Sequence, residues 1–280
     1  MANVAISASL IKDLRERTGV GMAKCKEALE EANGDMEQAI AILRKAGMAS
    51  AVKKQGREAK EGHVCCKETD SVVAIAEINA ETDFVAKNER FQEFSKEILN
   101  EIATSKPRDL ASFLEQKFSK DASITIDQYR SLIIQTIGEN ILISRLALWP
   151  KMTSHSIGIY SHMGGKILTA VELSAPGQQA LAKDLAMHIA AASPEYTSPQ
   201  DVPQEIIQKE REIAREQVQG KPAQIMEKII DGKVQAYFDT VCLTKQKYVK
   251  DSAKTVEALL KEAGPEVNVV RFIRWMVGQG

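Results

Sequence analysis

The sequence predicts an α+β protein. It has a three-helix amino-terminal module, two similar strand–strand–helix core halves with antiparallel sheets, and a helical hairpin inserted into the second half. Three observations carry this. Apolar residues recur at helical spacing through the first 47 residues. Paired short apolar runs separated by polar turns, each pair followed by a helix, occur twice. Finally, Ala76-Glu77-Ile78-Asn79-Ala80 has a counterpart in Val171-Glu172-Leu173-Ser174-Ala175, 95 residues later. The expected divisions are 1–54 for the helical module with its linker, 55–140 for the first core half, 141–200 with 242–280 for the second, and 201–241 for the inserted antiparallel coiled coil.

Within the module, Ser9 is placed to cap a first helix carrying Leu10, Ile11 and Leu14, which Thr18-Gly19 ends. A second helix runs from about Gly21 to Ala32 and stops at Asn33-Gly34. Asp35 caps the third, with Gln38 where a capping-box partner belongs. Residues 48–61 lose the apolar stripe and gain Lys53, Lys54, Arg57 and Lys60, which predicts a linker or frayed helix. A hairpin follows across Thr69-Asp70-Ser71, then a long helix with Phe91, Phe94, Ile98 and Ile102 on one face. Two more helices are expected over 109–118 and 127–139. Strands over 140–149, 156–162 and 166–173 lead to a helix with Leu181, Leu185 and Ile189. Helices over 204–219 and 223–239, broken at Gly220-Lys221-Pro222, form the αα-hairpin. A helix over 254–263, capped near Ser252, and a strand over 267–277 finish the chain.

Composition narrows the function. The 280 residues are 44% apolar and 27% charged, with 37 Lys plus Arg against 38 Asp plus Glu. A net charge of −1 excludes nucleic-acid binding by bulk positive charge. No apolar run reaches membrane-spanning length, no signal-peptide pattern opens the chain, and four cysteines make no disulfide framework. A cytoplasmic, reduced setting is expected.

Candidate chemistry is sparse. There is no phosphate loop, dinucleotide fingerprint or nucleophile elbow. His63, His155, His162 and His188 do not cluster at ligand spacing, and no C-x-x-C occurs. No catalytic residue, cofactor or metal is therefore expected. Two places stand out. Thr82-Asp83-Phe84 sets a carboxylate beside an aromatic at a strand-to-helix junction. It reads either as an N-cap, Thr82 or Asp83, with a core Phe, or as an exposed prong. His188 lies near the apolar face of its helix and reads either as a satisfied core histidine or as a contact at a partner surface.

At these residues the chain resembles the elongation factor Ts family. The resemblance rests on Leu14-Arg15-Glu16-Arg17-Thr18-Gly19-Val20-Gly21-Met22 with Cys25-Lys26, on Glu31-Ala32-Asn33-Gly34-Asp35 and Lys53-Lys54, and on Thr82-Asp83-Phe84-Val85-Ala86-Lys87-Asn88. It continues in Gly138-Glu139-Asn140-Ile141, Ala186-Met187-His188-Ile189-Ala190-Ala191 and Gly220-Lys221-Pro222. It implies a ubiquitin-associated-like (UBA-like) amino-terminal domain and an exchange factor, not an enzyme, that releases GDP from elongation factor Tu. Thr82, Asp83, Phe84 and Val85 match the family segment that enters a cleft beside the partner's Mg²⁺. Arg15, Met22, Lys54 and His188 match further contact positions. Elongation factor Tu is the implied partner, with no direct nucleotide, nucleic-acid or membrane binding. The coiled coil would serve a dimer or only a contact to that partner. A non-catalytic docking or RNA-associated interaction protein is the competing reading. It would require a basic face with exposed aromatics, and Lys53–Lys60 supplies no aromatic.

Overall fold

The computed structural model describes residues 6–218 and 222–279. It forms two compact units, Met1–Pro150 with Met276–Gly280, and Lys151–Trp275.

The first unit opens with α1 (Ala8–Thr18), α2 (Met22–Glu31) and α3 (Met36–Lys54). The cap of α1 is Ser7 and not Ser9: Ser7 is extended, and its Oγ accepts the Leu10 N–H at 3.1 Å, while Ser9 is already helical. Gly19, at φ +68°, closes α1, and Asn33 and Gly34 both take positive φ after α2. Asp35 caps α3 through the Gln38 N–H at 2.8 Å. Leu14, Val20, Cys25, Leu29, Ala39 and Leu43 make the shared core. Of the linker or frayed helix expected from residue 48, the helical reading holds to Lys54, where α3 ends. Its inner face there is Gly47 and Ala51, both buried. Close helix packing selects small residues, so no apolar stripe marked it. A Cβ on Gly47 would stand 3.2 Å from Leu132 of the helix Ile126–Ile137.

Next come β1 (Glu61–Glu68), β2 (Val72–Ala80), α4 (Asp83–Ala86), α5 (Glu89–Ser105), α6 (Leu110–Glu115), β3 (Lys117–Phe118), β4 (Asp121–Thr125), α7 (Ile126–Ile137) and β5 (Ile141–Pro150). The β1–β2 hairpin turns at Thr69, whose Oγ1 receives the Ser71 and Val72 N–H groups. All residues of β2 are buried, because β1 and β5 flank it and α5 lays Phe91, Phe94, Ile98 and Ile102 into the same core. Two expectations change. The helix expected over 109–118 ends at Glu115, and Lys117-Phe118 turns into a small hairpin with β4. Residues 141–150, expected in the second half, pair with β2 from Val72↔Pro150 to Ala80↔Ile141 and complete the first sheet.

The second unit holds β6 (Ser156–His162), β7 (Ile167–Leu173), α8 (Gln179–Ala192), α9 (Gln204–Glu216), α10 (Ala223–Val241), β8 (Lys247–Tyr248), β9 (Asp251–Thr255), α11 (Val256–Ala263) and β10 (Val269–Met276). Its sheet runs β10-β7-β6. The helix expected from 254 starts at Val256 with Thr255, not Ser252, as its cap, because 251–255 is a strand. Helices α9 and α10 pair through Ala214, Val218 and Ile230 and through Arg211, which reaches Asp231 at 2.8 Å and Glu227 at 3.2 Å. Of the expected break, Gly220 and Lys221 lie outside the described residues. Pro222 is the N-cap of α10.

Each unit thus follows one plan: a β-hairpin, a long helix, a small β-hairpin with a helix, and a strand that returns beside the centre of the sheet. The α9–α10 hairpin sits in the second copy where the first has α6. The plan extends to buried charge. Glu77 of β2 and Glu172 of β7 are each 1% exposed. Each is paired to an arginine of the returning strand, Arg145 at 2.7 Å and Arg271 at 2.6 Å. A buried carboxylate requires such a partner.

Candidate partner-binding site

The β2–α4 junction is held from below and open above. Thr82, extended at φ −127° and ψ 155°, is the N-cap of α4, and its Oγ1 accepts the Val85 N–H at 3.4 Å. The same residue is gripped by Glu139, which follows the left-handed Gly138 at the end of α7. Glu139 Oε2 accepts the Thr82 backbone N–H at 3.0 Å, and Oε1 accepts the Thr82 hydroxyl at 2.7 Å. Beside this, Glu81 Oε1 accepts the Asn140 N–H at 2.6 Å. Val85 packs on the core and Ala86 is buried.

Above that base, Phe84 is 81% exposed, the highest value among the large hydrophobics of the described residues. Of the two readings of Thr82-Asp83-Phe84, the N-cap half holds at Thr82, and the core-Phe half does not. A short helix whose inner face is Val85 and Ala86 must point Phe84 outward. Asp83 keeps its carboxylate half exposed, with Lys87 Nζ donating at 2.8 Å. That hydrogen bond raises the Lys87 pKa, with the Asp83 charge adding to it. An exposed pair of this kind contributes little to stability. The site presents an apolar ring and an acceptor side by side on a backbone that is braced.

Arg15 and Met22 sit on exposed positions of α1 and α2, Met22 at 42%. Lys54 is less free. It ends α3, is half-buried, and its Nζ donates to the Ile134 carbonyl at 3.4 Å. Burial lowers its pKa, Arg57 and Lys24 lower it further, and Glu81 and Glu139 oppose them. Lys54 therefore lies within electrostatic reach of Glu81 and Glu139, the carboxylates at the base of the junction.

His188 lies in the other unit and is fully buried. The Val249 N–H donates to Nδ1 at 3.3 Å, so Nδ1 is the bare nitrogen, and Nε2–H faces Gln246 Oε1 at 2.9 Å. Gln246 Nε2 is satisfied by the Ala192 and Thr240 carbonyls. Burial pushes the imidazole pKa down, the Gln246 hydrogen bond opposing it. Of the two readings of His188, the free chain shows the satisfied interior histidine, which fixes the β8–β9 turn whose Val249 is 50% exposed. The first copy of the plan explains it. There Glu101, at the matching place on α5, accepts the Ser119 N–H at 3.4 Å. One turn earlier, Glu97 holds Lys120 as Asp184 holds Lys250, both at 2.7 Å.

All four cysteines are free thiols. Burial raises the pKa of Cys25, Cys65, Cys66 and Cys242, which keeps each in the unreactive thiol form. Among the described residues, no group of His, Cys, Asp and Glu is placed to hold a metal ion, and no helix is long and apolar enough to cross a membrane. Glu139 falls inside the Gly138-Glu139-Asn140-Ile141 motif, where the sequence alone assigns it no role. Its grip on Thr82 joins positions far apart in the chain, which local spacing does not reveal.

The model of the family described as "Elongation factor TS" matches residues 81–279. The chain is 59% identical over 280 residues to the elongation factor Ts of Protochlamydia amoebophila (strain UWE25), covering 98% of this chain and 99% of that relative. It is 44% identical over 277 residues to the elongation factor Ts of Chlamydia felis (strain Fe/C-56), covering 97% of this chain and 98% of that relative. The family match takes in the Thr82–Val85 junction, the relatives match over nearly the whole chain, and the chain belongs to the elongation factor Ts family.

Proposed function

We propose that the chain is a guanine nucleotide exchange factor that promotes GDP release from elongation factor Tu during translation elongation. The observation that carries this is the exposed Phe84, next to Asp83, on a junction braced by Glu139. Exposing a large aromatic on an otherwise well-packed unit is costly in water and is repaid when a partner covers it.

In this reading Phe84 is the wedge. It enters an apolar cleft beside the partner's Mg²⁺, and Asp83 competes for the groups that order the metal's water shell. Mg²⁺ tolerates little departure from octahedral coordination, so a small shift of its surroundings weakens GDP. Arg15 and Met22 dock on the same face of the partner through the helical module. His188, with the β8–β9 turn that it sets, and Lys54 make further contacts with the partner. No bond chemistry is needed. The factor has only to bind the nucleotide-free partner more tightly than the GDP-bound one, and linkage makes GDP and the factor weaken each other equally.

Stopped-flow release of fluorescent GDP from elongation factor Tu tests this, using the unmodified chain, Asp83→Ala and Phe84→Ala at two Mg²⁺ concentrations. The expected result is strong acceleration by the unmodified chain, lost in one or both variants. No acceleration by a folded chain that binds the partner overturns it.

A further inference from the structure

We infer that Glu139 is the positioning residue of the exchange site: it acts through Thr82 to hold Asp83 and Phe84 in the geometry that enters the partner. The inference rests on the exchange reading above and adds to it a residue that touches neither nucleotide nor partner.

A helix of only four residues can hold little by itself. Asp83–Ala86 closes the Ala86 N–H on the Thr82 carbonyl at 3.2 Å and the Lys87 N–H on Asp83 at 3.2 Å. A single turn is unstable in water, because nucleation fixes several residues for very few hydrogen bonds. Something outside the turn must fix it. Glu139 makes both of its oxygens acceptors for one residue, the N-cap, and so sets the Thr82 backbone and its hydroxyl together. With the hydroxyl hydrogen committed to Glu139, the Oγ1 lone pairs remain for the Val85 N–H. These are charge-assisted hydrogen bonds, roughly twice as strong as neutral ones. Glu139 itself is partly buried and fixed by its chain neighbours. Gly138 before it takes φ +93°, and Asn140 after it is wholly buried, with its N–H on Glu81 and its Nδ2 on the Arg57 carbonyl at 2.9 Å.

The second copy of the plan is an internal control. There the segment between α11 and β10 secures Ser174, the residue directly after the central strand, whereas Thr82 stands two residues beyond the end of β2. Ser174 Oγ donates to the Glu266 carbonyl at 2.6 Å and accepts the Asn268 N–H at 2.9 Å. That clamp is made with backbone groups, and the helix after it, α8, begins at Gln179 behind an N-cap, Gln178, that makes no side-chain cap hydrogen bond. The shared fold therefore needs the two segments joined, but it does not need a carboxylate on an N-cap. The carboxylate occurs in the copy that carries the exposed aromatic. Geometry at a reacting or inserting group is worth orders of magnitude when displaced by about an ångström.

The test uses the full chain with Glu139→Gln, Thr82→Val, the double variant and Thr82→Ser. Two readouts are taken: amide hydrogen exchange at Ala86 and Lys87 in the free chain, and the maximal rate of GDP release from elongation factor Tu at saturating factor. Glu139→Gln and Thr82→Val should each lose protection at Ala86 and Lys87 and lower the maximal rate about tenfold. The concentration for half-maximal rate should change less than about twofold, because other contacts supply affinity. The double variant should be no worse than either single one, and Thr82→Ser should behave as the unmodified chain. Unchanged protection in Glu139→Gln, or effects that multiply in the double variant, would overturn the inference. If the unmodified chain fails to release GDP, the exchange reading falls. Loss of protection in Glu139→Gln would still uphold Glu139 as the brace of the turn.

Discussion

The imidazole of His188 and the backbone of Val249 share a hydrogen bond of 3.3 Å in which the buried ring accepts. Protonating Nδ1 would break that bond and place a charge in the core, which is why burial holds the His188 pKa below its ordinary value.

A pH dependence follows from the sign of that shift. The unfolded chain takes up the proton near pH 6.5 and the folded chain only below that, so stability is full above about pH 6.5 and falls as pH drops. The slope due to this group approaches about 1.4 kcal/mol per pH unit between the two values. Urea titrations from pH 7.5 to 5 on the unmodified chain and on His188→Gln should show the difference. The variant should lose this part of the acid sensitivity, and parallel curves would contradict the buried neutral ring.

Phe84→Ala should be nearly neutral for folding. The ring is 81% exposed and fills no core, so the change in unfolding free energy should lie within about 0.5 kcal/mol. Ile98→Ala, in the wholly buried face of α5, should cost about 3 kcal/mol. Denaturant midpoints compare the two. A large loss in Phe84→Ala would mean that the ring packs inward in solution.

Gly158→Ala and Gly232→Ala should move stability in opposite directions. A Cβ on Gly158 of β6 would fall 2.1 Å from the Ala182 backbone of α8, which backbone cannot relieve. That variant should lose about 3 kcal/mol or fail to fold. Gly232 is inside α10 with nothing within 4 Å of the added atom, and alanine there should gain about 0.5–1 kcal/mol. Thermal melts of the two proteins decide it.

Arg145→Leu should be among the costly single changes in the first sheet. It removes the arginine that pairs with Glu77, a carboxylate 1% exposed, and leaves a buried charge with the neutral donors of Asn79 and Gly278 alone. The expected loss is about 3 kcal/mol. Adding Glu77→Gln should recover part of it, whereas additive losses would mean that the pair is not coupled.

Much of the architecture could be read from local pattern. The periods of α1, α2 and α5, the Thr69 turn and the Asn33-Gly34 stop are short-range effects, and they appear where the residues place them. The two small hairpins were missed because Lys117-Phe118 and Lys247-Tyr248 are too short to show a strand period. Their signal lay elsewhere. Lys117-Phe118-Ser119-Lys120-Asp121 and Lys247-Tyr248-Val249-Lys250-Asp251 are copies of one another, and a capping threonine, Thr125 or Thr255, follows each. The repeat noticed at β2 and β7 was the visible edge of a longer one.

The residues alone determined the helical module, the hairpins that open each half, the absence of a nucleophile motif, and the Thr82–Val85 segment as a place of interest. They could not determine which way Phe84 points, that His188 is interior, that β5 belongs to the first sheet, or that Glu139 holds Thr82. Periodicity reports which face of an element is apolar, and it does so over a few turns of chain. Exposure at a junction, strand partnership and side-chain bonds between distant residues depend on what the folded chain brings to that face, and only the tertiary structure supplies that.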